Sequence, residues 1–174
     1  MGLSLSDFTT LHVAISLIGI FSGFIVLYGM LTSRNFRLWT GIFLATTILT
    51  SVTGFFFPHE KLLPSHIVGI ISLVVLTAAL LALYVRHGEG AWRWIYVTSA
   101  LLALYLNVFV AVVQSFQKLP SLQALAPTQS EPPFIVAQVG VIAVFIILGA
   151  LAVRRYHPRY ASFLASRKTS DSKI

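Results

Sequence analysis

The chain has 174 residues, 57% hydrophobic and only 10% charged, against about 25% charged in soluble domains, so it has too little charge to clothe a water-facing surface. It contains no cysteine, which excludes disulfides, thiolate metal sites and cysteine nucleophiles, and its length suits one compact unit without a separate soluble domain. The formal net charge of +7 sits in short clusters between long apolar runs, which is the pattern of a membrane protein and argues against nucleic acid as a partner.

The first apolar run, from about Val13 to Leu31, has the roughly 20 residues needed to span a bilayer core. Asp7 is the only charge before it and no small-residue cleavage site follows, so it reads as a retained helix and not as a signal peptide. Ser16, Gly19 and Gly23 share one face of it, with Gly19 and Gly23 forming a GxxxG pair. Small residues at that spacing predict a close helix approach, either within the chain or in a homo-oligomer. Arg34 and Arg37 follow.

A second run, Trp39 to Phe57, is diluted by Thr46, Thr47, Thr50, Ser51 and Thr53. It is kept as a span because a threonine hydroxyl can bond the preceding helical turn. Pro58 closes it and leads to His59, Glu60 and Lys61. The third run, His66 to Val85, is predicted to start from Ser65 as N-cap and carries Gly69 and Ser72 on a small-residue face. Beyond Arg86 and Arg93 lies the fourth, Trp94 to Ser115. The stretch Gln117–Pro133, with Pro120, Pro127, Pro132 and Pro133, is predicted to be an irregular loop. The fifth run is Phe134 to Val153.

These runs predict an all-α integral membrane bundle of five transmembrane helices over residues 1–153, followed by a basic tail over 154–174. Five spans put ten of the twelve Lys and Arg on one side, leaving only Lys61 and Lys118 on the other. The positive-inside rule then places the N-terminus outside and the C-terminus in the cytoplasm. Trp39, Trp92, Trp94, Tyr84 and Tyr156 fall near the cytoplasmic boundary, as an aromatic belt predicts. The tail is read as a topology anchor, with attraction to anionic lipid as the functional alternative. No internal repeat is visible, so an inverted-repeat transporter is not supported.

Polar side chains able to do chemistry collect in the outer half of this arrangement. His12 and His66 open the first and third helices, Asn107 and Gln114 lie seven apart in the fourth, and Glu131 and Gln138 lie seven apart at the start of the fifth. An amide deep in hydrocarbon must bond a partner or face a cavity, so Asn107 and Gln138 are expected to point inward. Taken one by one, the amides can be simple interhelical ties and the histidines water-facing interfacial residues. Taken together they predict a ligand-binding pocket open to the outer face. His12 and His66 are also the pair that would hold a b-type haem, with His87 and His157 at the opposite face. His12, His59 and His66, with Glu131, have ligand types that suit a divalent metal such as zinc or copper, though no HxxxH signature supports them. No GxSxG, HExxH or P-loop occurs, and the five acidic residues offer little for carboxylate catalysis.

The stretches Thr53-Gly54-Phe55-Phe56-Phe57-Pro58, Leu63-Pro64-Ser65-His66-Ile67-Val68-Gly69, Tyr105-Leu106-Asn107-Val108-Phe109-Val110 and Ala126-Pro127-Thr128-Gln129-Ser130-Glu131-Pro132-Pro133-Phe134 resemble those of an uncharacterised group of small proteobacterial multi-pass membrane proteins. The resemblance covers most of the chain up to the tail, takes in His66, Asn107 and Glu131, and implies a bacterial inner-membrane location. The chain does not resemble the five-helix tryptophan-rich sensory proteins, whose tryptophan-proline motifs it lacks. The functional expectation is a pocket that binds or transports a small molecule or ion. A haem or metal redox protein and a structural or assembly subunit of a membrane complex are the alternatives.

Overall fold

A computed structural model describes residues 4–57, 64–88 and 90–157. Five long helices and one short one account for nearly all of them, and no strand occurs among the described residues. Helix α1 runs Leu5–Leu31, eight residues ahead of the expected start. Its cap explains why: Ser4 Oγ accepts from the Asp7 N–H at 3.1 Å and donates to the Asp7 carboxylate at 2.7 Å, capping the helix before the apolar run begins.

Helix α2 is Arg37–Gly54 and α3 is Pro64–Leu80, continued by a π-helical turn over Leu81–Val85. The start of α3 at Pro64 corrects the expected Ser65 cap: proline, which needs no N–H partner at a helix start, takes the earlier position. Helix α4 is Trp92–Lys118, α5 is Pro120–Leu125 and α6 is Pro132–Arg155. The stretch expected to be irregular therefore holds a short helix, with Pro120 at its first position. Ala126, just after that helix, is buried. His59, Glu60, Lys61 and the tail beyond His157 lie outside the described residues.

Helices α1, α3 (with its π turn), α4 and α6 are each long and apolar enough to cross a membrane. Helix α2 is 18 residues long and carries Arg37 and five threonines. It nonetheless packs along α1 and against α3, while α4 touches α1, α3 and α6. The core is Leu27, Met30, Phe43, Leu76, Val97 and Leu104, closed by small residues such as Ala79, Ala100 and Ala103. Outward faces are apolar as well: Phe21 and Phe24 on α1, Val74 on α3, Val136, Val139 and Ile146 on α6 are all exposed. Apolar side chains on both the inside and the outside suit a hydrocarbon solvent.

Two ends follow from the packing. One collects the start of α1, the end of α2 and the start of α3. The other gathers Arg34, Arg37, Arg86, Arg93, Arg154 and Arg155. At this basic end Tyr156 is 4% exposed and packs against Tyr96, ring centroids 6.0 Å apart. Tyr156 is therefore a core residue and not a member of an interfacial belt, because the chain turns inward after α6.

Candidate functional site

Helices α1 and α2 are antiparallel, so polar residues on their facing sides meet in steps. His12 Nδ1 lies 2.8 Å from Thr53 Oγ1. The Thr53 hydroxyl commits its one proton to the Leu49 carbonyl at 2.7 Å, so the imidazole N–H donates to Oγ1 and Nε2 is left as the basic nitrogen. One turn deeper, Ser16 Oγ donates to the His12 carbonyl at 2.7 Å and reaches Thr50 Oγ1 at 3.4 Å. A turn deeper still, Asn107 of α4 donates from Nδ2 to Thr47 Oγ1 at 3.1 Å.

Gly19 makes that convergence physically possible. A Cβ at this position would stand 3.2 Å from Thr46 Oγ1, 3.4 Å from Thr47 Oγ1 and 3.6 Å from Asn107 Nδ2. Polar atoms from two helices thus close over the bare backbone of a third. Gly23, the next step, is different: its Cβ would meet Leu104 Cδ1 at 2.5 Å and the Phe43 ring at 3.0 Å. The polar seam therefore ends on an apolar plug. A cavity of about 10 Å³ there, lined by Gly23, Met30, Phe43 and Leu104 among others, offers no polar group to a ligand. A Cβ at Gly69 would stand 3.2 Å from the Phe55 ring at the end of α2.

The six polar residues expected to share a pocket are distributed among separate places. His12 and Asn107 belong to the seam between α1, α2 and α4. His66 is 4% exposed on the α2–α3 side, its ring 5.6 Å from that of Phe55. Gln138 is buried between α4 and α6 and donates to the Phe109 carbonyl at 3.3 Å. Gln114 is exposed. It shares the face of Asn107, but two turns higher, where α2 has reached its end at Gly54.

Glu131 organises its own loop. Its carboxylate accepts from the Thr128 N–H at 3.1 Å, the Thr128 hydroxyl at 2.9 Å and the Ser130 N–H at 3.1 Å. Desolvation pushes its pKa upward, but these hydrogen bonds and its own N–H outweigh that and hold it below the usual carboxylate range.

The histidines proposed for a haem rest on different neighbours: His12 on Thr53 and Phe57, His66 on Phe55. Among the described residues no three of His, Asp and Glu gather as a group able to hold a metal ion, and His59 lies outside them. Sequence reasoning did not find two ties at the basic end. Arg93 donates from one guanidinium nitrogen to the carbonyls of Tyr156 and of Val153, the latter at 3.4 Å. The His157 N–H donates to Ser33 Oγ at 2.9 Å. An arginine beside a helix start gives no hint that its partner is the far end of another helix. Compared with protein-family models, curated proteins and solved structures, the chain matches none.

Proposed function

We propose that the chain is a five-span protein of a bacterial inner membrane, its basic end cytoplasmic and its N-terminus outside. It binds or passes a small polar species, a proton or small ion, along the seam between α1, α2 and α4. One observation carries the functional reading: bonded polar side chains from three helices descend in register from His12 to Asn107 and stop at the Phe43–Leu104 plug. A titratable imidazole at the mouth and hydroxyls below it are the groups such a path needs.

Counting α2 as a span is supported by its hydroxyls. Thr46, Ser51 and Thr53 donate to the carbonyls of Ile42, Thr47 and Leu49 at 2.7, 2.9 and 2.7 Å, which satisfies them without water. The orientation is supported by the gathering of arginines at one end.

The absence of native cysteine makes the test direct. Single cysteines at Ser16 and Thr50 should react with a small membrane-impermeant thiol reagent added from outside, whereas one at Leu104 should not. Failure of both seam positions to react would make the seam a dry structural tie and end the binding reading. Cysteines at Ser4 and His87, with α1, α2 and α3 between them, should label from opposite sides of the membrane; labelling from the same side would refute the five-span count. A second reading, an assembly subunit, is favoured by α6, where a Cβ at Gly140 would meet nothing within 4 Å and the flanking Val136 and Val139 are exposed.

A further inference from the structure

Helix α1 ends in a Schellman turn. Ser33, at φ 55°, takes the left-handed position; its N–H bonds the Met30 carbonyl at 3.3 Å and the Arg34 N–H bonds the Gly29 carbonyl at 2.8 Å. Ser33 Oγ then accepts the His157 N–H at 2.9 Å. That bond joins positions 124 residues apart in sequence and sets Arg34 at the same corner as Arg154 and Arg155.

Arginines near helix C-termini ordinarily neutralise terminal carbonyls. Here that work is already done: the α1 carbonyls by the Schellman N–H groups, the α6 carbonyls by Arg93. Arg86 is likewise engaged, its guanidinium 5.0 Å from the centre of the Trp92 ring. Arg34, Arg154 and Arg155 are exposed. The acids among the described residues, Asp7 and Glu131, stand at the opposite end, each bonded to its own neighbours. Among the described residues these three cations and a histidine gather without a counter-charge, which leaves a site for an anion, and the planar guanidinium fork matches a phosphate. The corner also borders the exposed apolar stripe Phe21, Phe24 and Tyr28 of α1, on which an acyl chain can lie.

We propose that this corner, Arg34 with Arg154, Arg155 and His157 around the Ser33–His157 bond, binds the phosphodiester headgroup of an anionic phospholipid. The assignment rests on the membrane reading above. The apolar stripe beside the cations favours a lipid over a free phosphate ion.

The full chain in mild detergent is titrated with short-chain phosphatidylglycerol, phosphatidylcholine or inorganic phosphate, and its melting temperature followed. Phosphatidylglycerol should stabilise it saturably, with an affinity that falls on adding salt, and the other two should not. Arg34→Gln and Arg155→Gln should each weaken that affinity about five-fold, as expected for one basic residue at an anionic surface. Arg86→Gln should leave it unchanged. Equal stabilisation by phosphatidylcholine, equal stabilisation by inorganic phosphate, or an equal loss in Arg86→Gln would each overturn the site. A chain that stays soluble without detergent would instead refute the membrane reading on which it stands.

Discussion

Replacing Gly23 by valine tests whether the GxxxG face is consumed inside the bundle. The first added carbon would stand 2.5 Å from Leu104 Cδ1 and 3.0 Å from two Phe43 ring atoms. Both neighbours are 1% exposed and have little room to yield. The adjoining cavity is small, about 10 Å³. Overpacking of this kind costs about 1–3 kcal/mol, and the gain in helix propensity over glycine returns only a few tenths. The expected net loss is therefore about 2 kcal/mol. Gly140→Val, where nothing lies within 4 Å of the new Cβ, should change stability by less than about 0.5 kcal/mol. Reversible unfolding in mixed micelles, followed by tryptophan fluorescence, compares the two. A Gly23→Val protein as stable as wild type, but altered in its self-association, would show that the face meets a second chain and that the internal packing argument is wrong.

Asn107→Leu should cost about 0.6 kcal/mol, the average for such a bond in a membrane, and Thr47→Val should add little on top of it; additive losses in a double-mutant cycle would break the pairing. Arg93→Gln should uncap α6 and cost about 1–2 kcal/mol, seen as faster amide exchange at Tyr156, whereas unchanged exchange would mean that the guanidinium is dispensable. The Glu131 carboxyl is held low by bonds made only in the folded loop. Those bonds are complete above the ordinary carboxylate range and are lost as pH falls through the lowered pKa. Amide protection at Thr128 and Ser130 should follow that course, and Glu131→Gln should weaken it above the lowered pKa and remove its pH dependence; protection insensitive to acid would contradict the assignment.

Hydropathy read along the chain gave the height of each polar residue but not the direction in which it faces. Asn107 and Gln138 lie at similar heights, yet they look toward α2 and α4 respectively, while His66, about two turns higher, faces the end of α2. Direction depends on which helices are neighbours, and a run of apolar residues carries almost no azimuthal signal when lipid covers the outer face. Gln114 shows a related limit: a shared face with Asn107 does not help where the facing helix has already ended. Short-range chemistry was legible where it was read. Ser4 and Asp7 stand three apart before an apolar run, the spacing of a helix cap, so the early start of α1 carries a local signature. The Ser33–His157 and Arg93–Tyr156 ties had no local signature at all.

The first of those long connections has a consequence for biosynthesis. The inner face of α1 is covered by α4 at Gly23 and its end is fastened by His157 after α6. While the chain is being made, the first helix therefore has only α2 of these neighbours beside it until α4 is complete. Its final position is set late, when the fourth and sixth helices arrive, and a nascent chain stalled before α4 holds its first helix with the Gly23 groove still open to lipid.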